Sequence, residues 1–407
     1  MSIPAANQIL TYKDQLQISF TSAFQYVNNS DGSGIEDVSW WRPLPSAGFY
    51  PLGDLTHPGF GDANGVGVVA TVKGLQAGVL QQPTGFTKVG TFECDRIKHL
   101  WFWRPTPPPG FVSLGLVVGS PGDTPPPLDV VMCIREDLVV PSAIGDMVWG
   151  GHGDESLARL WGTKTQPSPP GEAYFDPGTF VGVNDESLDA PKSDPSAYAL
   201  QIDVTETPPS NPLPRPKLQS FDRPLQDVSD TVEYIVEVPW FTVVDPQLSA
   251  LQQLLTSPRY RLVRTDRYHL LYSIYNEAPR DMPITRTYSW GTDATASHEF
   301  SETTGISFTL GYGGGLLDSG PSFSCTLTQS FTVTDTSTQG WQQQQTSEYG
   351  PIVCPGNTAI AIYTIASTYT LMRESGEVIA IPVPYTADGD GVSLYITTYP
   401  DPVGTPN

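Results

Sequence analysis

Between residues 303 and 334, apolar and hydroxyl side chains alternate with a period of two. In the first arm Ile306, Phe308, Leu310 and Tyr312 are separated by Ser307, Thr309 and Gly311. A glycine-rich stretch from Gly313 to Gly320 follows. In the second arm Phe323, Cys325, Leu327, Phe331 and Val333 take one face, interrupted by Gln329, and Ser322, Ser324, Thr326, Thr328, Ser330 and Thr332 take the other. Successive strand side chains point to opposite faces, so the pattern predicts an amphipathic hairpin. Asp318, in its loop, is the only charged residue of the segment. A strand that crosses a bilayer bonds its backbone to neighbouring strands, turns an apolar face to lipid and turns a polar face to a lumen. The chemistry this segment suits is therefore membrane insertion, with the short first arm extended backward through Thr303 and Thr304. An ordinary sandwich strand pair with one solvated face carries the same alternation, so pattern alone leaves both readings open. The preceding segment, 284–302, is costlier in lipid because it holds Arg286, Asp293, His298, Glu299 and Glu302.

Covalent catalysis finds little support. Gly150-Gly151-His152-Gly153-Asp154 offers a histidine and a carboxylate, but no metal cluster follows it. No nucleophile elbow, zinc-protease helix or phosphate loop is present. The five histidines and the four cysteines, Cys94, Cys133, Cys325 and Cys354, are too few and scattered for a metal centre or a disulfide scaffold. Cys325 and Cys354 lie in one domain and are a candidate pair, with buried free thiols as the other reading. The expectation is a protein that is not an enzyme and holds no cofactor or metal, with an oxygen-ligand Ca²⁺ site between Asp residues as an open alternative that no EF-hand-type spacing supports.

A second set of functional candidates comes from an internal repeat. Residues 40–53 read WWRPLPSAGFYPLG and residues 102–115 read FWRPTPPPGFVSLG. Trp41 matches Trp103, Arg42 matches Arg104, and Leu52-Gly53 matches Leu114-Gly115, all at one offset. A weaker third copy runs from Leu160-Trp161-Gly162 to Phe180-Val181-Gly182 and lacks the Arg-Pro pair. Three degenerate units predict a pseudo-threefold β-architecture such as a prism. Trp41, Trp103 and Trp161 are then expected as its shared core. Trp40 and Phe102 precede the repeat tryptophans, so they are expected to project outward, with Tyr50, as candidate receptor-binding aromatics. Arg42 and Arg104 are expected to stack on tryptophan or bond turn carbonyls.

These residues need elements to hold them. Forty Pro and 38 Gly suit many short strands joined by turns. Proline-dense residues 205–225 read as a linker, which divides the chain into domains 1–225 and 226–407. Long strands are expected at Thr231–Val238, Tyr260–Ile274 and Ala359–Met372. The one substantial helix is expected near residues 247–256, started by Asp245 as cap and Pro246. With 43 acidic against 21 basic residues the formal net charge is −22. That disfavours nucleic acid and anionic lipid as partners. No basic, apolar leader opens the sequence and no run of about 18 apolar residues occurs, so export is expected without a visible signal peptide.

The two WRP…GF…LG phrases resemble the Vps62-type (DUF946) domain over about residues 30–200. Asp54 keeps the acidic residue that closes the family phrase, and Leu116 replaces it in the second copy. The later half, through Leu254–Tyr260 and Tyr268–Tyr272, is similar to regions that accompany such modules in insecticidal-type proteins. Its Ser/Thr-rich strands resemble aerolysin-type β-pore-forming toxins. The resemblance implies an all-β protein, with a β-prism-like domain followed by an elongated antiparallel β-domain. It implies a cell-surface glycan or protein receptor, a homo-oligomer in the pore state, and a hairpin that enters the target cell membrane. The other reading is a carbohydrate- or glycolipid-binding protein without pore activity.

Overall fold

The computed structural model describes residues 9–94, 100–151, 158–184, 187–222, 224, 227–304, 306, 316–317, 323–326, 344–387 and 394–400. The chain forms two compact units. The first comprises Met1–Asp203, Gln247–Pro258 and Asp318–Cys325, and the second Val204–Pro246, Arg259–Leu317 and Thr326–Asn407. The division falls after Asp203 rather than near residue 225, because Thr205–Thr207 already pairs with a strand of the second unit.

Three antiparallel three-stranded sheets organise the first unit. They are β1 (Phe24–Asn29), β2 (Val38–Pro43) and β3 (Leu55–Pro58); β4 (Gly85–Phe92), β5 (Leu100–Thr106) and β6 (Val117–Val118); and β7 (Ala143–Gly150), β8 (Ala158–Lys164) and β9 (Val181–Asn184). The middle strand of each carries the repeat tryptophan. Neighbouring strand residues face opposite ways, and the choice of inner face differs from expectation. Trp40, Phe102 and Leu160 point to the common centre and are fully buried. Trp40 meets Trp149 edge-on at 5.2 Å and Phe102 at 5.1 Å, and Phe92 and Phe180 complete the cluster. Edge-to-face rings at such spacing are favourable beyond the area they bury.

Trp41, Trp103 and Trp161 are buried as well, but away from this centre. Trp41 packs with Phe24, Ala63 and Val69, and Trp161 with Val181 and Ala197. Val69 opens a strand of a second, four-stranded sheet, and Ala197 directly precedes a strand of another. A further layer of strands therefore covers the outer faces of the first and third sheets, and both side-chain sets along β2 and β8 can be apolar.

The repeat arginines tie adjacent sheets together. Arg42 grips Asp54 with two bonds of 3.1 and 3.0 Å and donates to the Val118 carbonyl at 2.7 Å, while Val118 N–H donates to Asp54. Arg104 repeats the device one sheet on, bonding Asp194 and the Gly182 carbonyl. Val118 and Gly182 hold the same place, opposite Phe102 and Leu160 respectively. Burial pushes the Asp54 carboxyl up, and Arg42 opposes that shift. The third copy has Gly162 where the others have arginine.

The second unit is built on a long antiparallel sheet. Its strands are β10 (Thr205–Thr207), β11 (Asp227–Pro239), β12 (Arg259–Asn276), then β15 (Thr358–Arg373) and its neighbours, with a separate ribbon of β13 (Met282–Trp290) and β14 (Gln345–Cys354). β16 (Val383–Thr386) and β17 (Tyr395–Tyr399) both pair with β15. At about 3.4 Å per residue, the 18 residues of β12 run roughly 60 Å.

Two helices depart from expectation. Helix α1 (Ala250–Thr256) begins at Ser249, which forms a capping box with Gln252, not at Asp245. Helix α2 (Ala294–Thr304) forms where the Thr/Ser-rich composition predicts no helix. Asp293 caps it by accepting the Thr295 and Ala296 N–H groups at 2.8 and 3.0 Å, and this Asp before Ala-Thr-Ala is the signal that was missed. The backward extension of the first hairpin arm is overturned here: Thr303 and Thr304 are helical. Cys354 is a buried free thiol against Thr358, so it is not paired with Cys325.

Two predictions follow from the first unit. Trp40→Ala should cost about 3–5 kcal/mol of stability by thermal or denaturant unfolding of the full chain; a loss under about 1 kcal/mol would contradict the central packing. Asp176 accepts from the Thr163 hydroxyl and, at 2.6 Å, from Gly178 N–H, yet burial pushes its carboxyl up to about 6. A raised carboxyl contributes stability below the ordinary carboxylate range and loses it as pH rises through about 6. Asp176→Asn should flatten that slope in a plot of melting temperature against pH between about 4 and 6; an unchanged slope would remove Asp176 as its source.

Candidate functional site

The site of interest is the ribbon β13–β14 and the segment it encloses. The register places Met282 opposite Cys354, Ile284 opposite Ile352, Ser289 opposite Thr346 and Trp290 opposite Gln345. Residues 291–344 therefore leave the ribbon from one strand and return on its partner. Ile284, Tyr288 and Trp290 are buried along β13, while Thr285, Arg286, Thr287 and Ser289 face solvent. The stem thus carries a period-two division, with Thr285, Thr287 and Ser289 on one side and Ile284, Tyr288 and Trp290 on the other, where the exposed Arg286 interrupts the apolar face.

The mouth of the ribbon is held in place. Trp290 Nε1 donates to Ser347 Oγ at 2.7 Å, and Gln344 N–H to the Thr292 carbonyl at 2.9 Å. Gly291 and Thr386 exchange backbone bonds of 2.8 and 3.1 Å, and Thr292 Oγ1 donates to the Pro384 carbonyl. Gly350, at φ +141°, sits at the register shift, where a Cβ would lie 2.7 Å from the Ile284 carbonyl oxygen. Only glycine fits there.

Beyond the mouth, α2 is tied down by Val244 N–H, which donates to the Thr304 carbonyl at 2.8 Å. Phe300 and Ile306 are buried. Phe308, Leu310, Tyr312, Leu327, Phe331 and Val333 lie outside the described residues, as do His152 and Asp154, and Phe323 opens a short strand, Phe323–Thr326.

Buried charges brace the sheet that carries this ribbon. Asp245 is not a helix cap. Its carboxylate is fully buried, accepts from Arg373 Nε and Nη2 at 2.8 Å each, and accepts the Tyr260 hydroxyl at 2.8 Å. Arg373 also reaches Glu377, and the bond to Asp245 leads in raising the guanidinium further above its ordinary range. Midway along β12, Arg264 bonds Asp266 at 2.7 Å and lies 3.7 Å from the Tyr234 ring, and Ser367 donates to Asp266. Burial raises the Asp266 carboxyl against the pull of Arg264. None of these sets places a nucleophile beside a base; they are braces.

Of the expected receptor aromatics, Trp40 and Phe102 are corrected to core, since a fully buried ring presents no face to a ligand. Tyr50 is 39% exposed. The structure does not bring the three together at the surface.

Residues 8–203 match the family described as Vacuolar protein sorting-associated protein 62, Vps62. Among solved structures, the chain is similar to GNIP1Aa from Chromobacterium piscinae, at 23% identity and TM-score 0.35, over 43% of this chain and 34% of that one. It is also similar to Cry35Ab1, at 13% identity and TM-score 0.30, over 80% of this chain and 91% of that one. The chain thus spans about a third of the length of GNIP1Aa. No curated protein matches the chain.

The bracing generates a prediction. Arg373→Met leaves Asp245 buried without its cation and should cost about 3–5 kcal/mol in urea unfolding of the full chain. Adding Asp245→Leu should recover most of that loss. A double variant as unstable as the single one would show that packing, and not the stranded charge, is responsible.

Proposed function

We propose that this chain is a non-catalytic β-pore-forming protein, released from its producing cell. It binds a cell-surface receptor, a glycan or a protein, assembles as a homo-oligomer and inserts residues 306–334 into the target membrane. The observation that carries this reading is the ribbon β13–β14, which holds both ends of the enclosed segment side by side. A hairpin growing from a formed stem has already met the entropy of bringing its ends together. Its backbone bonds can propagate strand to strand, as a bilayer demands. About ten residues tilted by roughly 45° cover most of an apolar layer, so a first arm that begins at Ile306 reaches that length by running on into the glycine-rich stretch. In this reading α2, with His298, Glu299 and Glu302, stays outside the hydrocarbon as a connector, and the first arm begins at Ile306. The net charge of −22 favours a neutral receptor over anionic lipid.

The test places an environment-sensitive dye at Phe308 or Leu327, one at a time, with a control at the exposed Thr295. On adding target membranes, emission should shift to the blue at 308 and 327 and not at 295, together with dye leakage. Leakage while both positions stay in water would move the inserting segment elsewhere. Absence of leakage from every receptor-bearing membrane would leave a binding protein without a pore.

A further inference from the structure

The second three-stranded sheet carries a feature that its two counterparts lack. On β5, Trp101 is half-buried and Trp103 is buried. Lys88, opposite Trp103 on β4, holds its Nζ 4.0 Å from the centroid of the Trp101 ring and 5.7 Å from that of Trp103. Asp123 Oδ1 accepts from Lys88 Nζ and from Trp101 Nε1, each at 2.7 Å. Gly119 makes room for the inner ring, because a Cβ there would lie 2.5 Å from Trp103 Nε1. A cation is thus enclosed by two indoles and a carboxylate at the surface, where the Lys88 and Asp123 side chains are 36% and 73% exposed.

The repeat does not require this arrangement. The place of Trp101 is taken by Ser39 in the first copy and by Arg159 in the third. Ser39 accepts from Trp41 Nε1 and donates to the Gly59 carbonyl, a purely internal role. The cation in the second copy is the chain's own and sits on a long exposed stem. Exposed ion pairs contribute little, so the ammonium can leave readily. A lysine ammonium is compact and strongly hydrated, which favours its return to water. A quaternary ammonium has no N–H to hydrate, and indole faces are its preferred surroundings.

We infer that the Trp101–Trp103–Asp123 cage exchanges Lys88 for a quaternary ammonium group, the choline headgroup of a zwitterionic membrane lipid. The inference rests on the reading that this protein attaches to membranes, and it supplies the contact. A choline headgroup offers the cation the cage needs without the net negative charge that a −22 protein repels.

Calorimetric titration of the full chain with choline chloride, beside flotation with phosphatidylcholine or phosphatidylglycerol vesicles, tests it. Lys88→Met opens the cage and should bind choline at least tenfold more tightly than the unsubstituted chain. Trp101→Ala added to it should weaken binding at least tenfold, and Asp123→Asn several-fold, with unfolding curves recorded for each. If the Trp101 variant does not fold, the Asp123 variant decides. Phosphatidylcholine vesicles should carry the protein up, free choline should compete, and phosphatidylglycerol vesicles should not bind. Lys88→Met binding no tighter, or both cage variants binding as well, overturns the cage. Capture of a trimethyl-lysine peptide without phosphatidylcholine binding overturns the lipid assignment. Choline-dependent vesicle binding supports the cage whether or not receptor-bearing membranes leak, whereas leakage of those membranes with no choline affinity overturns the cage and keeps the pore.

Discussion

A β-strand has two faces, and nearly every choice in the first unit follows from covering both. β2, β5 and β8 turn Trp40, Phe102 and Leu160 to one shared centre and Trp41, Trp103 and Trp161 away from it. A strand that turned its second set to water would carry polar residues there. This chain instead carries tryptophan, and further strands cover Trp41 and Trp161. Once both faces are buried, the sheets have little polar surface left with which to find one another. Arg42 and Arg104 supply it, each with a buried carboxylate and a carbonyl of the next sheet. These carboxylates would be costly alone, and a paired, hydrogen-bonded charge is the form in which they are tolerated.

The second unit meets the same constraint with charges placed along the strands. Arg264–Asp266 lies inside β12, and Asp245–Arg373 joins the loop before α1 to the end of β15. Such pairs add little net stability compared with apolar groups of the same shape, but they penalise a shifted register heavily. A slip of β15 by one residue would part Arg373 from Asp245 and take the Ser367 hydroxyl from Asp266, whereas Arg264 and Asp266, on one strand, would move together. Long strands need that discipline, since period-two patterning alone tolerates a slip by two.

Much of this was legible in the sequence. The Trp-Arg-Pro repeat announced three related sheets, and the lengths of β12 and β15 were close to those expected. Which of two adjacent aromatics faces inward was not legible, because Trp40 and Trp41 are both apolar and both buried. Asp245 misled for a related reason. The same carboxylate caps a helix or pairs with a distant arginine, and only the fold brings Arg373 near. α2 was hidden by serine and threonine, whose helix preference is weak and whose contribution is decided by the Asp293 cap and a buried Phe300. The Lys88 cage escaped notice because Trp101 lies outside the repeated phrase and Asp123 is distant in sequence.

Gly162, in the place of the missing third arginine, makes the three joints of the first unit unequal. Among the described residues the third copy places no arginine at that position, and the third and first sheets meet where Ile35 N–H donates to the Gly150 carbonyl at 2.9 Å and where Gly34 packs against the Trp149 ring. Ionic joints feel salt and acid, whereas this one feels chiefly the loss of packing. A ring with one joint of a different kind has a preferred place to breathe. Amide protons along that joint would exchange through a local opening that leaves the other two shut, and the threefold plan would behave as a hinged strip.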